Sequence, residues 1–273
     1  MDVLGREDVG RIAELCARAV VDAPSLEELE AALCTSDQPA FMFGDPAVGV
    51  VAAVACDDGA HVRLLAVDPA ARLAGHGHAL MTAVEDWARA EGHSRVITGA
   101  DPPYFLWPGI PSTETGLLCL FERRHYSRAE TNFNMRVDLT SLSPDPIGRY
   151  AMATAAERPE LDEWMAVHWS NWRPEVLRAL DKGNLAISRD KDGAVSAFCA
   201  FEVNRPGLLG PVAVRPELMG KGEGKDVLLG ALHELRRRGR SNTDVVWIGP
   251  VVPYAAVGGA VSDVFFVYRK ELG

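Results

Sequence analysis

The spacing of apolar residues divides the chain into alternating helices and strands. Apolar positions recur every three or four residues where a helix is predicted, and they run continuously or alternate where a strand is predicted. In the first half, the predicted helices are 9–21, 26–33, 79–90 and 117–124, and the predicted strands are 40–43, 48–55, 62–67, 95–98 and 131–139. This mixture predicts an α/β fold.

A polar, proline-bearing stretch without periodicity follows, and the same order of elements then begins again. The predicted helices of the second half are 161–169, 175–180 and 227–238, and the predicted strands are 185–188, 194–203, 208–214, 245–248 and 264–269. We therefore expect an N-terminal domain over residues 1–140, a linker over 141–146 and a C-terminal domain over 147–273.

The register of shared residues indicates that the two halves are copies. The Val-x-Pro sequences at Val67 and Val214 lie 147 positions apart, and the same separation joins Gly75 to Gly222 and Gly77 to Gly224. Each of these positions falls between a predicted strand and a predicted helix. A shared offset of this kind is the signature of an internal duplication.

Composition narrows the class of protein and of partner. The 273 residues are 48% hydrophobic and 24% charged, as in soluble globular proteins, and they suffice for two domains. The formal net charge is −10, and the short run Arg236–Arg238 reads as the last turn of a helix. Nucleic acid is therefore not an expected partner, and a cationic partner such as an amine is mildly favoured.

The cysteines and the apolar runs point to a cytoplasmic protein. Five scattered cysteines form no Cys-x-x-Cys pair and are expected to stay reduced. The first eight residues carry charge where a signal peptide needs an apolar core. The longest apolar stretch, 48–56, is too short to span a bilayer, so no membrane partner is expected.

Each copy contains a glycine pair between a strand and a helix. Glycines leave successive backbone N–H groups unobstructed, and the positive end of the helix adds to them, so a phosphate or pyrophosphate suits this site. A dinucleotide fingerprint would need a third glycine where Leu80 and Val227 stand. A P-loop would need serine or threonine where Asp226 follows Lys225.

The motif resembles that of the Gcn5-related N-acetyltransferase (GNAT) family, [QR]-x-x-G-x-[GA] after a Val-x-Pro strand end. Arg72 begins a full match in the first copy, whereas Met219 stands at that position in the second. The family's Tyr-x-x-x-Gly is present as Tyr254 to Gly258, and the first copy has Phe121 there, which we expect to be core. Residues 102–109 and 264–270 also look like bacterial tandem GNAT proteins.

The resemblance implies two tandem GNAT-type domains of α/β (α+β) class. Each would have a mixed, mostly antiparallel sheet with a splayed pair of parallel strands, flanked by helices. Acetyl-CoA would be the co-substrate and would lie between the splayed strands, expected in the second copy at 208–214 and 245–248. No metal is expected, because the sequence has no His-Glu-x-x-His or Cys/His cluster.

The resemblance also supplies candidate residues, and the second copy is the expected catalyst because it has the tyrosine. Tyr254 would be the general acid, and Glu202 is a candidate base beside Glu217, with a solvated surface carboxylate as the alternative. Acetyl-CoA would contact Val212, Ala213, Val214, Met219, Gly220, Lys221, Gly222, Glu223, Gly224 and Lys225. In the first copy the corresponding residues are Val67, Arg72, Leu73, Ala74, Gly75, His76, Gly77 and His78.

The resemblance implies transfer of an acetyl group from acetyl-CoA to a primary amine by direct attack. The acceptor, a small molecule or a peptide, stays open. The alternatives are an acyl-CoA-binding sensor without turnover and a transferase for a longer acyl group. Two copies in one chain can imitate a dimer, so we expect either a monomer that is a pseudo-dimer of domains or a homodimer.

Overall fold

The computed structural model describes residues 2–99, 101–220 and 222–273. It divides into two compact units. Unit 1 consists of Met1–Asn132 and Val264–Gly273, and unit 2 consists of Phe133–Asp263. Within the described residues, no helix is long and apolar enough to cross a membrane.

The first part of the chain alternates strands and helices. Its strands are β1 (Asp2–Leu4), β2 (Phe41–Asp45), β3 (Gly49–Cys56), β4 (Gly59–Val67), β5 (Arg95–Thr98), β6 (Ile110–Pro111) and β7 (Ser127–Asp138). Its helices are α1 (Val9–Ala19), α2 (Leu26–Leu33), α3 (His76–Ala90) and α4 (Thr115–Arg123). Helix α3 begins before the predicted 79–90, because the glycines of its first turn hide the helical pattern.

The rest of the chain repeats this order. Its strands are β8 (Ala151–Met152), β9 (Leu185–Arg189), β10 (Val195–Phe201), β11 (Leu208–Val214), β12 (Asn242–Val245) and β13 (Ala260–Glu271). Its helices are α5 (Arg158–His168), α6 (Arg173–Asp181), α7 (Glu223–Arg237) and α8 (Val252–Ala255).

Each unit contains a mixed, mostly antiparallel sheet. In unit 1 the order is β1-β2-β3-β4-β5 followed by residues 264–271 of β13, and β4–β5 is the parallel pair among the described strands. In unit 2, residues 133–138 of β7 are followed by β12, β11, β10, β9 and β8, and there the parallel pair of the described residues is β11–β12. The predicted fold class is confirmed.

Helices cover both faces of each sheet. In unit 1, α1 and α2 pack on one face around Leu15 and Leu29, and α3 packs on the other around Met81 and Val84. In unit 2, α5 and α6 cover one face and α7 the other. Burial of these apolar helix faces, at roughly 25 cal/mol per Å² of apolar surface, is what holds each unit together.

The duplication is visible in the elements themselves. The first and last residues of α3 are separated from those of α7 by the same offset that separates the two glycine motifs. The same is true of β5 and β12. Gly75 and Gly222, the residues before α3 and α7, adopt the same left-handed backbone, with φ of 90° and 96°.

The compact units differ from the predicted domains at both ends. Residues 264–271 belong to the sheet of unit 1, because β13 pairs with β5 and β6 there. The predicted linker lies inside unit 2, where Ser143 O accepts from His233 Nε2 and Asp145 forms an ion pair with Arg237. Proline content identified an irregular segment, but long-range strand pairing sets the unit boundary.

Candidate active site

The strands of unit 1 open at the middle of β4. β4 and β5 pair in parallel up to Val62 and Thr98, and the Gly99 N–H then donates to Val62 O at 2.8 Å. From Arg63 to Val67, β4 keeps its antiparallel partner β3 but has no strand partner on the other side among the described residues. The backbone N–H and C=O groups of Arg63–Ala66 that face away from β3 are available there to an extended ligand.

A bulge at Arg63 marks the opening, because the pairing with β3 shifts register opposite this residue. The Arg63 guanidinium is buried and donates to Asp101, to Gln38 and to Ala32 O. Asp101 Oδ1 has no hydrogen-bond partner in the described part of the chain. This pair was not predicted, although a charged residue inside the apolar run 62–67 was a signal for it.

The glycine loop of unit 1 ends in an open helix N-terminus. Gly75 has a φ of 90°, which favours glycine, and it turns the chain into α3. Among the described residues, no carbonyl or side chain accepts from the N–H groups of Gly75–His78. Arg72 donates to Val67 O and Ala19 O, so its guanidinium holds the loop against β4 and α1.

A cleft of about 670 Å³ joins these two features in unit 1. It runs along residues 62–67 of β4 to the start of α3, and its other wall comes from α4. Seven of the eight predicted contacts of the first copy line it, namely Val67, Arg72, Leu73, Gly75, His76, Gly77 and His78, whereas Ala74 does not. This volume lies in the range of sites for cofactor-sized ligands.

The splayed strands of unit 2 differ from their predicted place. β12 is Asn242–Val245 and not 245–248, and it pairs in parallel with β11 at Leu208 and Leu209. The Val246 N–H still donates to Leu209 O, and Trp247 then takes a φ of 50°, which ends the strand direction. The prediction was wrong because residues 242–244 are polar, yet β7 and β11 pair with them.

Unit 2 also has a bulge, where the pairing of β10 and β11 shifts register around Gly210 and Pro211. The predicted contacts Val212, Ala213 and Val214 follow this bulge along β11. Val212 and Val214 pack on the α7 side of the sheet, and Ala213 packs on the α5–α6 side.

The glycine loop of unit 2 carries its own carboxylate. Gly220 and Gly222 have left-handed backbones, and α7 begins at Glu223. Glu223 Oε2 accepts from the hydroxyls of Ser188 at 3.1 Å and Ser196 at 2.8 Å.

The remaining predicted contacts of this loop lie on either side of Glu223 in the sequence. Met219 is 56% exposed, and Gly224 lies in the first turn of α7 against Val214. Lys225 is followed by a second acidic residue, Asp226. The predicted contact Lys221 lies outside the described residues.

Residues 8–103 match the model of the acetyltransferase (GNAT) family. This stretch of unit 1 is similar to the GNAT acetyltransferases. No curated protein matches the sequence. The family match covers β4, the glycine loop and α3 of unit 1, which are elements that form the cleft.

Solved structures extend the likeness to both units. A GCN5-related N-acetyltransferase from Sphaerobacter thermophilus is 18% identical, with a TM-score of 0.74 over 99% of this chain and 94% of that one. A tandem GNAT protein from the clavulanic acid biosynthesis pathway is 16% identical, with a TM-score of 0.75 over 99% and 98%. The tandem GNAT fold expected from the sequence is confirmed.

A third structure is larger than this protein. It is the GCN5-related glucosamine N-acetyltransferase region of a fungal multi-domain GH3 β-N-acetylglucosaminidase, 19% identical, with a TM-score of 0.80 over 98% of this chain. The present chain spans 38% of that longer protein. At this identity the likeness concerns the fold.

The GNAT tyrosine position differs between the units. Phe121 in unit 1 is 2% exposed and packs against the rings of Tyr126 and Tyr268, as expected for a core residue. Tyr254 of α8 is half-buried, and its hydroxyl makes no hydrogen bond within the described residues. Burial, with Cys199 nearby, raises the pKa of Tyr254 to about 12, so the phenol keeps its proton at neutral pH.

The carboxylate of Glu202 is occupied by its own loop. Its Oε1 accepts from Gly207 N–H at 2.9 Å and from Arg240 Nε at 2.7 Å, and Glu202 itself has a φ of 48°. These contacts fix the turn between β10 and β11. Its role as a general base stays a prediction, beside a structural role that the geometry supports.

Proposed function

We propose that the protein is an N-acetyltransferase that holds acetyl-CoA in the cleft of unit 1 and acetylates a primary amine. The observation that carries this proposal is the cleft itself. It connects an unpaired strand edge to a glycine-bearing helix N-terminus within the segment that matches the GNAT family. A pyrophosphate bound to an extended amide-containing arm is complementary to such a site.

The backbone supports each part of this ligand. The N–H groups of Gly75–His78 and the positive end of α3 attract the pyrophosphate. His76 and His78 are exposed beside them and introduce no negative charge. The free edge of β4 from Arg63 to Val67 can pair with the amides of the pantetheine arm as an added strand would.

The reaction needs only proximity and a neutral amine. The amine nitrogen attacks the thioester carbonyl carbon, the carbon–sulfur bond breaks, the nitrogen loses a proton to solvent water, and CoA leaves as a thiolate. Because an ordinary thiol has a pKa of about 8.5, the thiolate can leave without an acid held beside it. Phe121 in place of the family's phenol is therefore compatible with turnover in unit 1.

The acceptor is proposed at the level of chemical class. A primary amine, on a small molecule or a peptide, is protonated in solution, and the net charge of −10 attracts such a cation. The fungal region named above carries the name glucosamine N-acetyltransferase, so amino sugars belong in the first panel of acceptors.

A second location for the chemistry has one observation in its favour. The protonated hydroxyl of Tyr254 in unit 2 has the properties of a general acid for the CoA thiolate. This assignment requires acetyl-CoA at the loop beginning with Met219, where Glu223 and Asp226 add negative charge to the first turn of α7.

Steady-state assays of CoA release test the proposal with a matched pair of variants. His76→Glu places a carboxylate at the exposed first residue of α3, and His76→Gln is its neutral control. We expect the KM for acetyl-CoA to rise about tenfold or more in the glutamate variant and less than threefold in the glutamine variant. Acetyl-CoA binding without turnover on any amine would instead support the sensor.

A further inference from the structure

The hairpin between β3 and β4 brings three metal-ligating side chains together outside the cleft. Cys56 ends β3, Asp58 lies in the turn, and His61 lies near the start of β4. Their ligand atoms, a thiol sulfur, a carboxylate oxygen and an imidazole nitrogen, all lie within 4.8 Å of one another. None of the three residues lines the cleft of unit 1.

The imidazole of His61 is held in an orientation that suits a ligand. The residue is 6% exposed, with Nδ1 at 3.3 Å from Gly99 O and Nε2 at 2.9 Å from Asp58 Oδ1. Because the carboxylate can only accept, Nε2 donates to Asp58 in this contact; a metal ion that takes the place of the Nε2 proton leaves the other ring proton on Nδ1, where the Gly99 carbonyl can accept it. Histidines that ligate metals are commonly oriented by such a carbonyl.

The surroundings of Cys56 are negative and already contain a donor to its sulfur. Gln38 Nε2 donates to Cys56 Sγ at 3.1 Å. Burial and the nearby Asp101 raise the pKa of the Cys56 thiol to about 12, with Asp57 and Asp58 adding to the effect and Arg63 opposing it. A divalent cation reverses this balance, because it neutralises the carboxylates and stabilises a thiolate.

We propose that Cys56, Asp58 and His61 bind one zinc ion, with water as the fourth ligand. Sulfur, imidazole nitrogen and carboxylate oxygen are the ligands of zinc, whereas magnesium and calcium select oxygen. In a tetrahedral zinc site the ligand atoms lie roughly 3.3–3.6 Å apart, which side-chain rotations reach from the present separations. No metal was expected from the sequence because it contains no His-Glu-x-x-His or Cys/His cluster. The three proposed ligands instead follow the pattern Cys-x-Asp-x-x-His.

Cobalt titration of the full chain tests the site, because cobalt replaces zinc and a thiolate ligand gives it a charge-transfer absorption. We expect this absorption to saturate at one equivalent of cobalt and to disappear on addition of zinc. Cys56→Ser should abolish it. Cys119→Ser, which removes the exposed cysteine of α4, is the control and should leave it unchanged.

Asp58→Asn provides a variant that does not disturb the core, since the Asp58 side chain is 63% exposed. We expect it to weaken cobalt binding at least tenfold and to remove the increase in melting temperature that zinc gives the wild type. The proposal is overturned if the wild type shows no thiolate absorption with cobalt, if Cys56→Ser retains it, or if Asp58→Asn binds cobalt as tightly as the wild type.

Discussion

The helix after the glycine pair starts with His76 in unit 1 and with Glu223 in unit 2, at matching positions of the duplication. In unit 1 the helix end has no hydrogen-bond acceptor among the described residues, and it borders a cleft of about 670 Å³. In unit 2 the first residue of the helix brings a carboxylate, which two serine hydroxyls hold. Equal backbones at Gly75 and Gly222 therefore do not make equal anion sites, because the charge beside the helix end decides what it attracts.

The two units also differ in the charge of the residue at their bulge. The substitution with the largest expected effect on stability follows from this difference. The bulge residue of unit 1 is Arg63, in a buried ion pair with Asp101, and its counterpart in the second copy is Gly210. We expect Asp101→Asn to lower the free energy of unfolding by about 3–5 kcal/mol, because it leaves a buried guanidinium without its partner charge. Urea denaturation measures this, and a loss below about 1 kcal/mol would mean that the pair does not support the bulge.

The second helix of each unit carries a glutamate at the same place in the duplicated sequence, but the two side chains differ in burial. Glu28 of α2 is half-buried and its carboxylate accepts from the Ser25 N–H, whereas Glu175 of α6 is 2% exposed, and burial raises the pKa of its carboxyl to about 8. The unfolded chain loses this proton at a pH of about 4.3, so the folded state loses relative stability as pH rises from about 4 to 8.

Glu175→Gln removes that titration. Between pH 5 and pH 8, we expect the free energy of unfolding of this variant to gain about 3 kcal/mol relative to the wild type. Urea denaturation at the two pH values gives the difference. A difference that does not change with pH would show that Glu175 ionises in the folded protein as it does in the unfolded chain.

The same helices also start differently. Ser25 accepts from the Glu28 N–H and forms a capping box at α2, whereas Trp172, the residue before α6, provides no side-chain cap. We expect Ser25→Ala to lower the free energy of unfolding by about 1 kcal/mol. An unchanged melting temperature would mean that the packing of Leu29, and not the Ser25 cap, stabilises the start of α2.

The substitution Tyr254→Phe has the smallest expected effect, a small change in kcat, if acetyl-CoA binds in unit 1. With the donor there, Tyr254→Phe should change kcat less than twofold, because the substitution only removes a hydroxyl from unit 2. Stopped assays of CoA release at saturating acetyl-CoA measure it. A fall of tenfold or more would instead place the acid, and the reaction, in unit 2.

Much of the fold followed from periodicity and from the shared offset. The predicted helices and most predicted strands lie close to their expected bounds, since their apolar faces are continuous, whereas the short elements β1, β6, β8 and α8 were not predicted. The bounds of β12 were predicted wrongly because mostly polar residues form this strand. The duplication contained the correct answer, since adding the offset between the two glycine motifs to the bounds of β5 gives 242–245. The strand exchange at residues 264–271 could not be predicted, because pairing between distant segments leaves no local pattern.

The candidate site was predicted in part. The glycine motif located seven residues of the cleft wall in unit 1. The preference for unit 2 relied on Tyr254 and gave no weight to the Glu223 carboxylate, whose contacts with Ser188 and Ser196 depend on the sheet. Arg63 and Asp101 are distant in sequence and meet only when β4 and β5 pair.

Calorimetric titration with acetyl-CoA tests most directly whether unit 1 is the donor site. Three variants accompany the wild type: His76→Glu, its neutral control His76→Gln, and Glu223→Gln in unit 2. We predict that the wild type binds acetyl-CoA, that only His76→Glu weakens this binding about tenfold or more, and that Glu223→Gln leaves the unit 1 affinity within twofold. Unchanged binding by His76→Glu would contradict a donor site in unit 1.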